Sequence, residues 1–464
     1  MSVRDTWPDF SLYQPHPPVA TLLEWIDDTR AQTWAWLGDL TPATALGPRE
    51  ALLNPPQWEV GHLAWFWEKW LLREGDTASM SSLLVPQTDT LYDSATVAHD
   101  TRWDIPLLPW SAAWQYLDDV LARVRERIMR ETLGDEIAYF TQLCIFHQDM
   151  HNEAFAIRRQ YLGDFPLTTG LKTLAGADLQ SYAAESRMDI AFPAGVHMQG
   201  AAPGSGFVFD NEKWAHEFGH EDFAIAPSVV TQGEFLKFIQ SHGYKTQRLW
   251  SAGGWEWRER NAAKHPAYWR FLGDGKWEVR RFDGWVSFDR SAPLIHVNAY
   301  EAEAYCVWAG RRLPTEAEWE CARSAEAMRD HGIVWEWTAS VFDPYPAFSP
   351  DPYAEYSAPW FGGGFRVLRG GSAATAARNI RPSWRNFYLP ERADMFCGFR
   401  TCSIAPLLES RVSDGLARQA PSGDALLESM REHLSDECLW KIAAAEPVNA
   451  DALGAAKTPR WLAC

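Results

Sequence analysis

Two histidines four residues apart, His147 and His151, stand in the run Phe146-His147-Gln148-Asp149-Met150-His151-Asn152-Glu153. On a helix, positions i and i+4 share a face, so both imidazoles can converge on one ion. Glu153 completes an H-x-x-x-H-x-E pattern. The same spacing also suits a satisfied core pair, and the motif alone does not separate the two readings. A third histidine, His62, lies in Gly61-His62-Leu63-Ala64-Trp65-Phe66, among apolar residues. A lone histidine there is more often packed and hydrogen-bonded than a ligand. A buried, uncharged imidazole facing the other two is nonetheless what a three-histidine site requires. Three neutral imidazoles suit Fe(II), Zn or Cu and leave coordination positions open for substrate.

The elements that must position these residues follow from apolar periodicity. Helices are predicted over 21–37, from 56 to about 71, over 110–132 and over 135–161. The second carries His62 and the fourth carries His147 and His151, with a looser stretch, 75–109, between the second and third. Four helices with one long connection predict a four-helix bundle, a fold that places metal ligands on facing helices. Composition changes after Leu167. Residues 168–189 read as a linker, and 190–405 read as short strands, Gly-rich turns and few helices, at 231–242, 298–309 and 315–323. The last of these opens on a capping box, Thr315 with Glu318. A tail, 406–464, is rich in Ala, Ser and acidic residues, with one helix expected near 425–434. The expected class is α+β: a bundle over 1–167, then an irregular domain over 190–405.

Composition narrows the function. A net charge of −18 without a basic stripe excludes a nucleic-acid surface. No run approaches the apolar length of a membrane helix, and the first ten residues, with Asp5 and Asp9, do not read as a secretory signal. Seven cysteines in a chain of 464 residues do not form a disulfide framework pattern, so a cytoplasmic location is expected. The 26 tryptophans suit clefts as well as cores. His216-Glu217-Phe218-Gly219-His220 matches the zinc-protease pattern H-E-x-x-H. Gly219 inside it and the strand-like sequence after it favour a structural role.

Residues 190–402 resemble the formylglycine-generating-enzyme-like, or sulfatase-modifying-factor, domain, whose fold is C-type-lectin-like. The carriers are Gly310-Arg311-Arg312-Leu313-Pro314-Thr315-Glu316-Ala317-Glu318-Trp319-Glu320, Val334-Trp335-Glu336-Trp337-Thr338, Arg369-Gly370-Gly371-Ser372 and Gly398-Phe399-Arg400. The first 165 residues resemble a DinB-like bundle through the His62 segment and the H-x-x-x-H-x-E helix. In this order the two resemble the ergothioneine-biosynthesis sulfoxide synthases. That resemblance implies a non-haem Fe(II) on His62, His147 and His151, and an O2-dependent reaction joining a sulfur nucleophile to the imidazole ring of hercynine (Nα-trimethylhistidine). It implies that Tyr353, of Tyr353-Ala354-Glu355-Tyr356, donates a proton, with Tyr356 its neighbour in the pocket. It places Asn386 and Phe387 around the betaine, whose quaternary ammonium an aromatic face attracts. Tyr388 and Arg392 belong to the same substrate loop.

The chain departs from the family's γ-glutamylcysteine users at several positions. Tyr388 stands where they carry an Asp, and Met150 stands where they carry a Gln that helps hold the hercynine ring. The loop between the second and third helices keeps one arginine, Arg102, amid Asp93, Asp100 and Asp104. Fewer charges of either sign weaken the grip on a zwitterionic peptide. A neutral, hydroxyl-rich thiosugar or selenosugar is expected instead, as in the selenoneine synthase branch. The alternatives are γ-glutamylcysteine or cysteine as nucleophile, or a non-catalytic ligand-binding scaffold. A copper-dependent formylglycine-generating enzyme needs a cysteine pair in the substrate loop, and none lies between Arg378 and Met395. Gly332-Ile333 replaces the Gly-Asn usual before Val-Trp-Glu-Trp, so no structural Ca2+ is expected.

Overall fold

Proline opens three of the four long helices. A computed structural model of the chain describes residues 7–73, 84–131, 133–164, 188–329 and 332–404. In it α1 spans Val19–Leu37, α2 Pro56–Trp67, α3 Thr88–Tyr92, α4 Trp110–Arg130 and α5 Asp135–Leu162. Pro18, Pro55 and Pro109 take the N-cap positions of α1, α2 and α4. Proline suits a helix start because it fixes φ and no donor is needed there. Helix α5 ends on Gly163 in the left-handed conformation, φ +73°, a position that favours glycine. The short α3 lies inside the long connection, where no helix is expected from the sequence. The predicted linker lies almost wholly, and the predicted tail helix entirely, outside the described residues.

The periodicity of α5 suggests one apolar face, but every residue from Ala138 to Gln160 is buried. The bundle covers one side of the helix and the second half of the chain covers the other. A single apolar cluster accordingly runs through both halves: Trp36 meets Phe282, and Tyr139 and Phe146 meet Phe207.

The second half is built of short strands. Strands β1 (Ile190–Phe192), β2 (Gly195–Gln199), β3 (His216–His220) and β4 (Phe223–Ile225) come first. A three-stranded meander follows, β5 (Trp269–Gly273), β6 (Lys276–Arg281) and β7 (Gly284–Ser287). Then come β8 (Arg311–Arg312), β9 (Trp335–Val341), β10 (Arg366–Arg369), β11 (Arg385–Tyr388), β12 (Cys397–Gly398) and β13 (Cys402–Ser403). One four-stranded sheet has the order β1-β4-β13-β8, and a second has β11-β10-β9-β12. The H-E-x-x-H segment is β3, paired antiparallel with β2, so it lacks the helix a zinc protease needs.

Helices α6 (Gln232–Gln240), α8 (Ala299–Ala309) and α9 (Glu316–Ser324) each open on a capping box, from Thr231, Asn298 and Thr315. Helix α7 (Ala252–Arg260) is not anticipated by the sequence reading. Its run of Gly, Trp and Arg has no apolar period, and the Ser251 cap on Gly254 N–H starts it.

The conspicuous sequence blocks hold one another. Buried ion pairs join Arg400 to Glu336, Arg369 to Glu320 and Arg385 to Glu316. Gly398 is required where it stands, because a Cβ there would lie 2.3 Å from the Leu294 carbonyl oxygen. Cys397 and Cys402 occupy different strands, and the described cysteines are all free. Among the described residues no helix is long and apolar enough to cross a membrane.

Candidate metal and active site

The imidazoles of His62, His147 and His151 meet in the bundle core. A ligand nitrogen from each lies within 4.8 Å of the others, and all three residues are buried. Ring centroids are 4.7–5.1 Å apart around the triangle. His62 comes from α2, and the other two from one face of α5, as the i, i+4 spacing requires.

The tautomers are set from behind. His62 Nδ1 donates to the Tyr92 carbonyl at 2.7 Å, so its Nε2 carries a lone pair, and that Nε2 lies 3.3 Å from His147 Nε2. His151 Nδ1 is 3.0 Å from Glu59 Oε1, while its buried Nε2 has no hydrogen-bond partner. An orphaned nitrogen aimed at two other imidazoles is the donor set a divalent metal fills. Burial holds His62 and His147 well below the ordinary imidazole range and pushes His151 down to about 3. All three are therefore uncharged, as ligands must be. Burial also pushes the Glu59 carboxyl up to about 8, against the pull of Arg158 and Arg102. A carboxyl oxygen behind the Nδ1 of a histidine fixes the orientation of the ring. Glu59 is missing from the sequence reading, where its only signal is an acid inside the apolar α2.

Glu153 is not part of the triangle. It accepts hydrogen bonds from Trp335 Nε1 (2.8 Å), Ser372 Oγ (2.6 Å) and Thr375 Oγ1 (2.8 Å). The H-x-x-x-H-x-E acid thus docks α5 onto the Val-Trp-Glu-Trp and Arg-Gly-Gly-Ser blocks. Asp149, one turn earlier, does the same through a two-pronged pair with Arg378.

That docking brings the tyrosine loop to the histidines. The Tyr353 ring lies 5.9 Å from His147 and 5.0 Å from Phe66, which itself stacks on His147 at 3.7 Å. Tyr356 lies 6.0 Å from Tyr353, and its hydroxyl donates to Met150 Sδ at 3.7 Å. Phe387 follows at 6.3 Å from Tyr356, and one of its faces stacks on Phe342 at 3.9 Å. Trp360 and Phe365 also lie against the Phe387 ring, at 6.3 and 6.1 Å. Asn386 Oδ1 accepts the Phe387 backbone N–H at 2.8 Å. His62, His147, His151, Tyr353, Tyr356, Met150 and Phe387 are thus gathered in one chain of contacts.

Tyr388 and Arg392 sit elsewhere, on a cavity with Leu53, Asn54, Glu59 and Arg158. Glu59 is the wall between this cavity and His151. Arg392 is held by both carboxylate oxygens of Asp394, at 2.6 Å each, and lies over the Tyr388 ring. Arg158 is buried, and its Nη1 has no hydrogen-bond partner. Arg102 turns inward: it stacks over Trp58 at 3.7 Å and donates to Asn54 Oδ1 at 2.7 Å. Trp58 in turn stacks on His62, so Arg102 backs the histidine cluster.

Comparison with known proteins agrees with this architecture. Residues 13–154 match the DinB superfamily, and residues 177–331 and 327–404 match the sulfatase-modifying factor enzyme 1-like domain. A hercynine oxygenase of Mycobacterium tuberculosis is 32% identical over 397 residues, covering 76% of this chain and 91% of that protein. The hercynine oxygenase of Mycolicibacterium smegmatis is 32% identical over 403 residues, covering 75% and 91%. A formylglycine-generating enzyme of Streptomyces coelicolor is 26% identical over 307 residues, covering 49% of this chain and 93% of that protein.

Proposed function

The chain belongs to the hercynine oxygenase family, and we propose that it is an iron- and O2-dependent oxidoreductase that bonds a selenium or sulfur nucleophile to the imidazole ring of hercynine. One observation carries this reading: three uncharged imidazoles converge in a buried site, and a tyrosine of the second half stands against one of them. Fe(II) held there would supply O2 binding and one-electron chemistry.

The chain's own residues do the rest. The Tyr92 carbonyl and Glu59 keep the Nε2 lone pairs of His62 and His151 turned inward. Trp58, Trp65 and Phe66 line the imidazoles and exclude water. Tyr353 holds a proton at its phenol oxygen, beside the place where the hercynine ring must lie to react. Tyr356, Met150 and Asn386 shape the ring's pocket, and the Phe387 ring takes the trimethylammonium group.

The selenosugar is the preferred nucleophile, which places the reaction in selenoneine biosynthesis. Support comes from the substrate loop, where Tyr388 puts a neutral phenol in place of an acid, and from Arg102, which is engaged with Trp58 and Asn54. A thiosugar has the same shape. The buried Arg158, with one unpartnered nitrogen, favours the second reading, a nucleophile carrying a carboxylate such as γ-glutamylcysteine.

The test supplies iron-loaded protein with hercynine, O2 and, in competition, 1-selenoglucose, 1-thioglucose, cysteine and γ-glutamylcysteine. The selenosugar adduct is expected to dominate by mass spectrometry. Fastest turnover of γ-glutamylcysteine would transfer the assignment to ergothioneine biosynthesis. Absence of hercynine- and iron-dependent O2 uptake would sink the enzyme reading altogether.

A further inference from the structure

The acidic segment Asp210-Asn211-Glu212, followed by Lys213, has no part in the chemistry above, yet it is buried throughout. Its side chains run along the tyrosine loop. Phe209 stacks on Tyr356, with centroids 4.2 Å apart. Asp210 Oδ1 accepts from Ser357 Oγ, which also receives the Asn211 Nδ2–H at 3.0 Å. Lys213 Nζ donates to Asp351 and, at 2.5 Å, to Tyr13 Oη, and the Tyr13 hydroxyl donates to Asp351 at 2.8 Å. The Asp351 backbone N–H lies beside the Asp210 carboxyl. Residues 351 and 357 are thus gripped on either side of Tyr353 and Tyr356. The same segment holds the approach to the substrate loop: the Asn211 carbonyl accepts from Arg385, and Glu212 accepts from Arg381 and Ser383.

Removing a lysine and two carboxylates from water is costly, and apolar packing serves stability as well. What an ion-pair network adds is a single register. Tyr353 caps a short 3-10 turn, 354–356, too small to fix itself.

We infer that Asp210 and Lys213 are positioning residues that hold Tyr353 against the histidine centre. This rests on Tyr353 being the proton donor proposed above. A displacement of about 1 Å at a reacting group costs up to roughly a hundredfold in rate.

The test is a double-mutant cycle on the iron-loaded full chain, with hercynine, O2 and the fastest nucleophile of the competition assay. Asp210→Ala is expected to lower kcat roughly ten- to a hundredfold, with iron content nearly unchanged. Asp210→Asn, which keeps an acceptor for Ser357, is expected to recover most of the loss. In a Tyr353→Phe background, Asp210→Ala is expected to change kcat by less than about twofold, because the group it positions is gone. Lys213→Met is expected to behave as Asp210→Ala does. An equal loss in both backgrounds would overturn the inference while leaving the role of Tyr353 intact. Wild-type kcat in Tyr353→Phe would remove that role, and the inference with it. If Asp210→Ala does not fold, Ser357→Ala deletes one hydroxyl of the same grip, and wild-type kcat in that variant overturns the inference.

Discussion

Glu59 does for His151 what the Tyr92 carbonyl does for His62, but with a side chain. A backbone carbonyl cannot be removed by substitution; the Glu59 carboxyl can. Replacing His62 with Ala deletes a ligand and is expected to abolish stoichiometric iron binding. Glu59→Ala leaves all three ligands and removes only the hydrogen bond at His151 Nδ1, so iron affinity is expected to fall roughly 10- to 100-fold. Anaerobic iron titration separates the two, and full affinity in Glu59→Ala would mean that packing alone orients the ring. Tyr353→Phe keeps the ring packed edge-on against the stacked Phe66 and His147 and removes one hydroxyl. Iron binding is expected to persist while product formation falls roughly 10²- to 10⁴-fold, the usual span for a lost proton donor. The three histidines were legible because four-residue spacing and apolar surroundings are written in the chain. Glu59 was not, because nothing local says which partner an acid on α2 will meet on α5.

Helix α5 is where the two halves of the chain become one structure. Its ends were legible to within a residue or two, as the apolar period and the Gly163 stop allow. Its polar residues were not interpretable alone: the chain shows Glu153 only as the end of an H-x-x-x-H-x-E pattern and gives Asp149 no role, and both become docking groups when Arg378, Ser372 and Thr375 arrive. Helix α7 escaped for the opposite reason, since its start depends on a side-chain cap rather than on a stripe. The docking has a measurable consequence. Glu153→Ala leaves the indole of Trp335 and the hydroxyls of Ser372 and Thr375 without their acceptor in a buried place. A loss of roughly 2–4 kcal/mol is expected by urea unfolding, with a smaller loss for Glu153→Gln, which keeps one acceptor oxygen. Stability within experimental error of wild type in the Ala protein would show that water replaces the carboxylate there.

At the scale of the whole molecule, joining a bundle to an irregular sheet domain through one apolar core puts many carboxyls out of reach of water, in a chain already at −18. Such carboxyls make stability depend on pH. Burial pushes Glu301 and Asp210 up to about 7. In the fold Glu301 therefore holds a proton up to near pH 7, while in the unfolded chain it releases one near its ordinary value of 4.5. The folded state binds more protons across that window, so stability falls as pH rises from about 4.5 to 7 and is level above it. Glu318 works in the other direction: burial alone would raise it, but hydrogen bonds from Arg312 bring it below 4.5, so its contribution is lost only in acid. Glu301→Gln isolates one of these groups cleanly. Glutamine keeps a carbonyl oxygen for the Asn298 N–H of the capping box, turns an NH2 donor toward the Tyr244 oxygen as the protonated acid does, and removes the titration. Between pH 5 and pH 8 the wild-type protein is expected to lose more stability than Glu301→Gln, by up to roughly 3 kcal/mol. Urea unfolding of both proteins at the two pH values reads that difference directly, and parallel losses would mean that Glu301 stays ionised inside the fold.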